Sequence, residues 1–198
     1  MSFTETIFQE KYYPLLGHRK ETFLKIFQYL ESLNKKEYFI IETGTMRAEN
    51  DIGGAGWSTK MFDEYVNFYN GTLISIDINE HFCNFAKSKT TKKTKLLHAD
   101  SVYGLDYLCK QNIPEIDCLY LDSFDVDFNN VHPSAFHHIK EFAAINPKLN
   151  PKTLIVVDDN LNGKGKGTYL ESYMQDIRCK KYFDDYQIAW IYGDRYEN

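Results

Sequence analysis

Long apolar runs are missing from this chain. None approaches the roughly 20 residues that span a bilayer, and Met1–Thr6 has no basic segment ahead of an apolar one. The expectation is a soluble protein with neither a membrane anchor nor a secretory leader. Cysteine is scarce, and Cys83, Cys109, Cys118 and Cys179 lack the spacing of metal ligands. That argues against a zinc frame or a disulfide scaffold and fits reduced thiols in a cytoplasmic protein. Positive charge is also in deficit: 23 Lys and Arg face 28 Asp and Glu, for a net charge of -5. A binder of nucleic-acid backbones is therefore not expected, and the basic stretch Lys87, Lys89, Lys92, Lys93 and Lys95 reads as a solvated loop. Internal repeats and low-complexity tracts are absent.

Acidic residues, by contrast, fall in an ordered series behind short apolar runs. Glu42 follows Tyr38–Ile41, Asp77 follows Leu73–Ile76, Asp100 follows Leu96–Ala99, Asp122 follows Leu119–Leu121, and Asp158 and Asp159 follow Leu154–Val157. Runs of this length and composition are expected to be buried parallel strands, each with a carboxylate at its carboxyl end. Helical periodicity lies between them. Phe23, Ile26, Phe27, Leu30 and Leu33 predict a helix over about 18–33, preceded by an irregular Tyr12-Tyr13-Pro14 segment. Further helices are expected from a cap at Ser58 or Thr59 to Tyr69, closed by Gly71, from Asn79 to Lys87, and from a Ser101 cap to Lys110. Two more run from Pro133 to Ile145 and from Thr168 to Arg178, and Tyr186–Tyr192 reads as a last strand. Leu161–Gly167, rich in glycine and lysine, reads as a mobile loop.

Alternating strands and helices imply an α/β fold: a doubly wound, mostly parallel sheet with helices on both faces. Residues 1–36 are expected to form a helical extension and residues 37–198 the domain proper. The aromatic content of 16%, with 15 Tyr and 14 Phe, is expected mainly to fill the core, and the N-terminal aromatics or the 163–167 loop could form a lid or a homodimer contact.

Ligands of such sheets bind outside the carboxyl ends of the strands. Gly44, Gly53, Gly54 and Gly56 let backbone approach a ligand, and the helix starting near Ser58 offers unpaired N–H groups to an anion. Asp77 is placed to accept from ribose hydroxyls, and Asp100 from an exocyclic amine, with the Ser101 N–H beside the ring. The dinucleotide fingerprint Gly-x-Gly-x-x-Gly is replaced by Gly44-Thr45-Met46-Arg47, which disfavours a pyrophosphate cofactor. Asp122, Asp159 and Asn160 supply oxygens that suit a hard cation, best Mg²⁺. Asp158, on the opposite strand face, is left as a supporting group unless the chain bends there.

These residues resemble the class I S-adenosylmethionine-dependent methyltransferases over about Tyr38–Tyr192. The similarity rests on Ile41-Glu42-Thr43-Gly44-Thr45 with Gly56-Trp57-Ser58-Thr59, on Ile74-Ser75-Ile76-Asp77, on Ala99-Asp100-Ser101 and on Tyr120-Leu121-Asp122-Ser123. Asp122 with Val157-Asp158-Asp159-Asn160 is similar to the metal-dependent O-methyltransferases of the catechol type, and Ile-Ser-Ile-Asp to the macrocin O-methyltransferase and cephalosporin hydroxylase group. The resemblance implies a Rossmann-like fold, S-adenosylmethionine held by Glu42, Gly44, Ser58, Asp77, Asp100, Ser101 and Asp122, and Mg²⁺ held by Asp122, Asp159 and Asn160. It implies O-methylation of a small hydroxylated acceptor. Where the catechol-type enzymes place a lysine base this chain has Asp125, so Asp122 and Asp125 are the candidate catalytic groups. A metal-free sugar or nucleic-acid methyltransferase and a non-catalytic cofactor-binding module stay open as alternatives.

Overall fold

The computed structural model describes residues 1–50, 52, 57–161 and 163–196. A π-helix over Thr4–Tyr12 and two 3₁₀ turns, Tyr13–Leu15 and Gly17–Arg19, lead into α1 (Lys20–Ser32) and β1 (Phe39–Thr43). Then follow α2 (Trp57–Phe68), β2 (Thr72–Asp77), α3 (Glu80–Lys89), β3 (Thr94–His98), α4 (Ser101–Cys109), β4 (Cys118–Leu121), α5 (His132–Ile145) and β5 (Leu154–Val157). The chain ends with a two-residue hairpin, β6 (Asn160–Leu161) and β7 (Lys164–Gly165), then α6 (Thr168–Asp176), β8 (Cys179–Asp184) and β9 (Ile188–Arg195).

Seven strands make one sheet in the order β3-β2-β1-β4-β5-β9-β8. The first five are parallel and the last two antiparallel, so the doubly wound expectation holds with an antiparallel edge. Alternate strand residues feed opposite faces, as the pleat requires. Ile40, Leu73, Tyr120 and Val156 join α1 and α2 in one core, while Ile41, Ile76, Leu119 and Ile155 join α4 and α5 in the other. Phe27 sits at the centre of the first, with its ring 5.1–5.9 Å from those of Phe3, Phe8, Phe62 and Tyr65. A buried aromatic of this kind contributes about 1.5–3 kcal/mol by leaving water.

Several local expectations change. The Tyr12-Tyr13-Pro14 segment is helical rather than irregular, and Phe3, Phe8 and Tyr12 are buried against α1. Asn70, with φ 55°, takes the left-handed position that ends α2, a role the sequence suggests for Gly71. Asp100, not Ser101, caps α4, because its carboxylate accepts from the Val102 and Tyr103 N–H groups. Asn79 does cap α3, accepting from His81 N–H at 2.9 Å. Where the sequence suggests a mobile loop over Leu161–Gly167, the described residues include strand pairs of the β6–β7 hairpin and a buried Lys166. Among the described residues no helix is long and apolar enough to cross a membrane, and all four cysteines are free thiols.

Candidate functional site

Sheet order reverses at β1, which lies between β2 and β4. Register sets Thr43 beside Ile76 on one side and Leu121 on the other. Gly44, Asp77 and Asp122 therefore emerge next to one another at the point where open α/β sheets form their crevice. Gly44 has φ 80°, and a Cβ there would lie 2.4 Å from the Asp122 carbonyl oxygen. Only glycine lets β1 turn this close to β4.

Two adjoining cavities open from that point. One, of about 200 Å³, is lined by Gly44, Thr45, Arg47, Ser58, Asp77, Asp122 and Asp125 among others. The second, of about 270 Å³, also borders Gly44 and Asp77 and reaches Asp100, Ser101, Phe124 and His137. Asp77 faces both. Its Oδ2 accepts Thr45 N–H at 3.1 Å and its Oδ1 accepts Asn79 N–H at 2.7 Å, so the carboxylate is fixed and each oxygen keeps a lone pair. Asp100 uses Oδ1 for both of its capping bonds. Ser101 Oγ lies 2.8 Å from His137 Nε2, and Ser123 Oγ donates to Glu141 at 2.6 Å. Because Glu141 approaches that same Nε2, at 3.5 Å, rather than Nδ1, the serine, histidine and glutamate do not form a nucleophilic relay.

Glu42 lies elsewhere. It is fully buried behind the cavities, where its carboxyl accepts from Ser58 Oγ at 2.5 Å and from Thr59 Oγ1 and Ser75 Oγ at 2.7 Å. Ser58 and Thr59 thus spend their hydroxyls on Glu42 rather than on capping α2. Burial pushes the Glu42 pKa up to about 8, only partly opposed by the three hydroxyls. Glu42, expected to contact the cofactor, is not among the residues that line the two cavities; it braces β1 against α2 and β2. Gly53, Gly54 and Gly56 lie outside the described residues.

Beyond Asp122 the site is ionic. Asp159 has φ 48°, and this bend after β5 sends Asp158 and Asp159 to different partners. Asp158 is buried against Arg19, with Nη1 3.0 Å from Oδ2, and accepts from Tyr120 Oη at 2.7 Å. Asp159 accepts from Tyr186 Oη at 2.5 Å. Lys166, 1% exposed, places Nζ 2.5 Å from Asp122 Oδ1 and 2.9 Å from Asp159 Oδ2. Burial raises the Asp122 pKa to about 7 against the opposing pull of Lys166, whereas Lys166, despite its burial, is held above the usual lysine range by the two carboxylates. Asn160 is buried, and among the described residues its side-chain amide has no hydrogen-bond partner.

Magnesium requires oxygens at about 2.0–2.1 Å in octahedral array. Between Asp122 and Asp159 that space holds the Lys166 ammonium, which an ion seated between the two carboxylates would have to displace. As arranged, with Lys166 between Asp122 and Asp159, the residues expected to hold Mg²⁺, Asp122, Asp159 and Asn160, do not fit it. Among the described residues no other cluster of three His, Cys, Asp or Glu side chains is placed to hold a metal ion. Asp125, the other candidate catalytic group, is exposed at the cavity mouth and pairs with Arg47 at 3.0 Å.

Solved structures share this architecture. Their likeness is in the mostly parallel, Rossmann-like α/β fold, and several of them are methyltransferases. MycE, a methyltransferase of the mycinamycin biosynthetic pathway in complex with Mg and SAH, superposes with a TM-score of 0.65 at 15% identity over 96% of this chain and 54% of MycE. This chain therefore spans about half the length of MycE. CalS11, a TDP-rhamnose 3'-O-methyltransferase of calicheamicin biosynthesis, matches with a TM-score of 0.60 at 13% identity, over 97% of this chain and 91% of CalS11. The O-methyltransferase NovP matches with a TM-score of 0.62 at 13% identity, over 89% and 81% of the two chains. No protein-family model and no curated protein matches the sequence.

Sequence reasoning missed Arg19, Tyr186 and above all Lys166. No local signal singles out the lysine: two residues apart on a strand Lys164 and Lys166 would share a face, yet Lys164 is exposed and Lys166 buried.

Proposed function

We propose that the protein is an S-adenosylmethionine-dependent methyltransferase that methylates a hydroxyl oxygen of a small molecule. The observation that carries this reading is Asp77, which closes β2 at the switch point with each carboxylate oxygen anchored by one backbone N–H and free to accept from a ribose diol. Asp100 and Ser101, at the next strand end, border the second cavity where an adenine would lie, with His137 and Phe124 as its walls. Gly44 and the start of α2 at Ser58 border the first cavity and suit the amino-acid end of the cofactor. When bound, S-adenosylmethionine would supply an electrophilic methyl on a sulfonium: the acceptor oxygen takes the methyl as the methyl–sulfur bond breaks, S-adenosylhomocysteine is the leaving group, and the hydroxyl proton goes to the Asp122 carboxylate.

Asp122 lies at the edge of that same cavity, so its carboxylate is the group that takes the acceptor hydroxyl's hydrogen bond and aims its oxygen. Rate comes mainly from this alignment of donor and acceptor. Arg47 and Asp125, paired across the cavity mouth, border the entry and select what reaches it. The working unit is residues 37–198, to which the 1–36 extension contributes Arg19. Among the structural neighbours CalS11 acts on TDP-rhamnose, and a glycosylated or otherwise hydroxyl-rich acceptor suits the polar first cavity.

Calorimetric titration with S-adenosylhomocysteine tests the reading. The parent protein should bind one equivalent, and Asp77→Asn should weaken binding about tenfold, the effect of roughly 1.4 kcal/mol lost from a charge-assisted hydrogen bond. Absence of binding by the folded parent ends the proposal.

A further inference from the structure

Lysine is almost never fully buried unless paired, and Lys166 is buried at the strand ends with two carboxylates. Its position is built rather than incidental. Residues 160 and 161 pair with 165 and 164 in the hairpin, and Lys166 N–H donates to the Asp159 carbonyl at 3.1 Å. Gly165 makes the closure possible, because a Cβ there would lie 2.0 Å from the Asp159 carbonyl oxygen. The side chain is thereby folded back over the end of β5.

Charge around the site is nearly balanced without any bound ion. Asp122, Asp158 and Asp159 supply three carboxylates, Arg19 neutralises one and Lys166 bridges the other two. Asp159 has both oxygens engaged, one by Tyr186 and the other by Lys166. A divalent ion added to this set would leave it positively charged and in contact with an ammonium; with the ammonium removed, the same ion would neutralise it.

We propose that the Lys166 ammonium is the resident cation of this site, standing where the resemblance places Mg²⁺, and that the protein works without a divalent metal. Lys166 is a positioning residue: it holds Asp122 at the cavity edge through an ion pair that needs no ion from solution. The inference rests on the methyl-transfer reading only for the purpose of the site, and its tests require no cofactor.

The experiment is a titration of MgCl₂ into the full-length parent and into Lys166→Met, followed calorimetrically and by thermal melting with Mg²⁺ or EDTA. The parent should give no binding heat and the same melting temperature in both solutions. Lys166→Met should melt lower in EDTA, take up about one equivalent of Mg²⁺ and regain part of its melting temperature with it. A merely structural lysine would leave no such metal-dependent recovery. One equivalent of Mg²⁺ bound by the parent and lost in Asp159→Asn overturns the proposal, as does a folded Lys166→Met indifferent to Mg²⁺. If Lys166→Met does not fold, the parent titration decides alone. Failure of S-adenosylhomocysteine to bind is a separate result that touches the cofactor reading and not this one.

Discussion

Glu42 gives the most quantitative handle on the fold. Its carboxyl is fully buried among three hydroxyls, and its pKa rises from 4.5 to about 8. The folded protein therefore keeps a proton that the unfolded chain releases. Stability from this group is fully present below about pH 4.5, declines as pH rises, and is gone above about pH 8. At 1.36 kcal/mol per unit the decline is about 2.5 kcal/mol between pH 5 and pH 7, slightly less than the full slope because the unfolded carboxyl is not wholly ionised at pH 5. Glu42→Gln preserves the shape and the hydroxyl partners and removes the ionisation. Urea unfolding of both proteins at several pH values should show Gln gaining on Glu by that amount across the window, roughly 5–10 °C in melting temperature for a chain of this size. His138, buried and lowered to about 4, acts in the opposite sense, stabilising as pH rises from about 4 to 6.5. It is common to both proteins and cancels in the difference. Parallel stability curves for parent and variant would refute the argument that Glu42 is held protonated by burial.

Gly44→Ala must move either β1 or β4, since its Cβ would stand 2.4 Å from the Asp122 carbonyl oxygen at φ 80°. Affinity for S-adenosylhomocysteine should fall at least tenfold with a lower melting temperature; the left-handed conformation alone costs about 1–2 kcal/mol. Parent-like affinity by calorimetry would show that the close approach is dispensable. Arg19→Met should cost about 3–5 kcal/mol, because it leaves the buried Asp158 without its cation. Adding Asp158→Asn should recover most of that loss in urea unfolding, and additive losses in the pair would mean that the two residues are not coupled.

β1, β2, β4 and β5 were legible because each is a short apolar run with an acid at its end, and burial on both faces leaves no polar alternation to confuse the pattern. β8 was not. Its sequence Cys179-Lys180-Lys181-Tyr182-Phe183-Asp184 keeps only Cys179 and Phe183 buried, and its pairing with β9 is broken by register shifts, so a period of two is never established. The residues bordering the two cavities were likewise legible, since strand ends and capping residues announce themselves. In the ionic half the expected carboxylates Asp122 and Asp159 do come together, on a lysine that the sequence did not single out. Lys166 shares a Gly-Lys-Gly-Lys-Gly stretch with the exposed Lys164, and only the turn geometry decides which lysine folds inward. Arg19 follows His18 just ahead of a helix, and nothing local tells that its partner lies at residue 158.

The ion pairs of this site join parts of the chain that are far apart in synthesis. Arg19 meets Asp158 across 139 positions, and Asp122 meets Lys166 across 44. A nascent chain that has reached β4 but not the hairpin carries an acid whose counter-charge does not yet exist, so that edge of the sheet stays hydrated and open. Contacts this distant close late, after local helices and neighbouring strands have formed. In a chain made from its N-terminus, the pairing of Asp122 with Lys166 can form only after residue 166 has emerged.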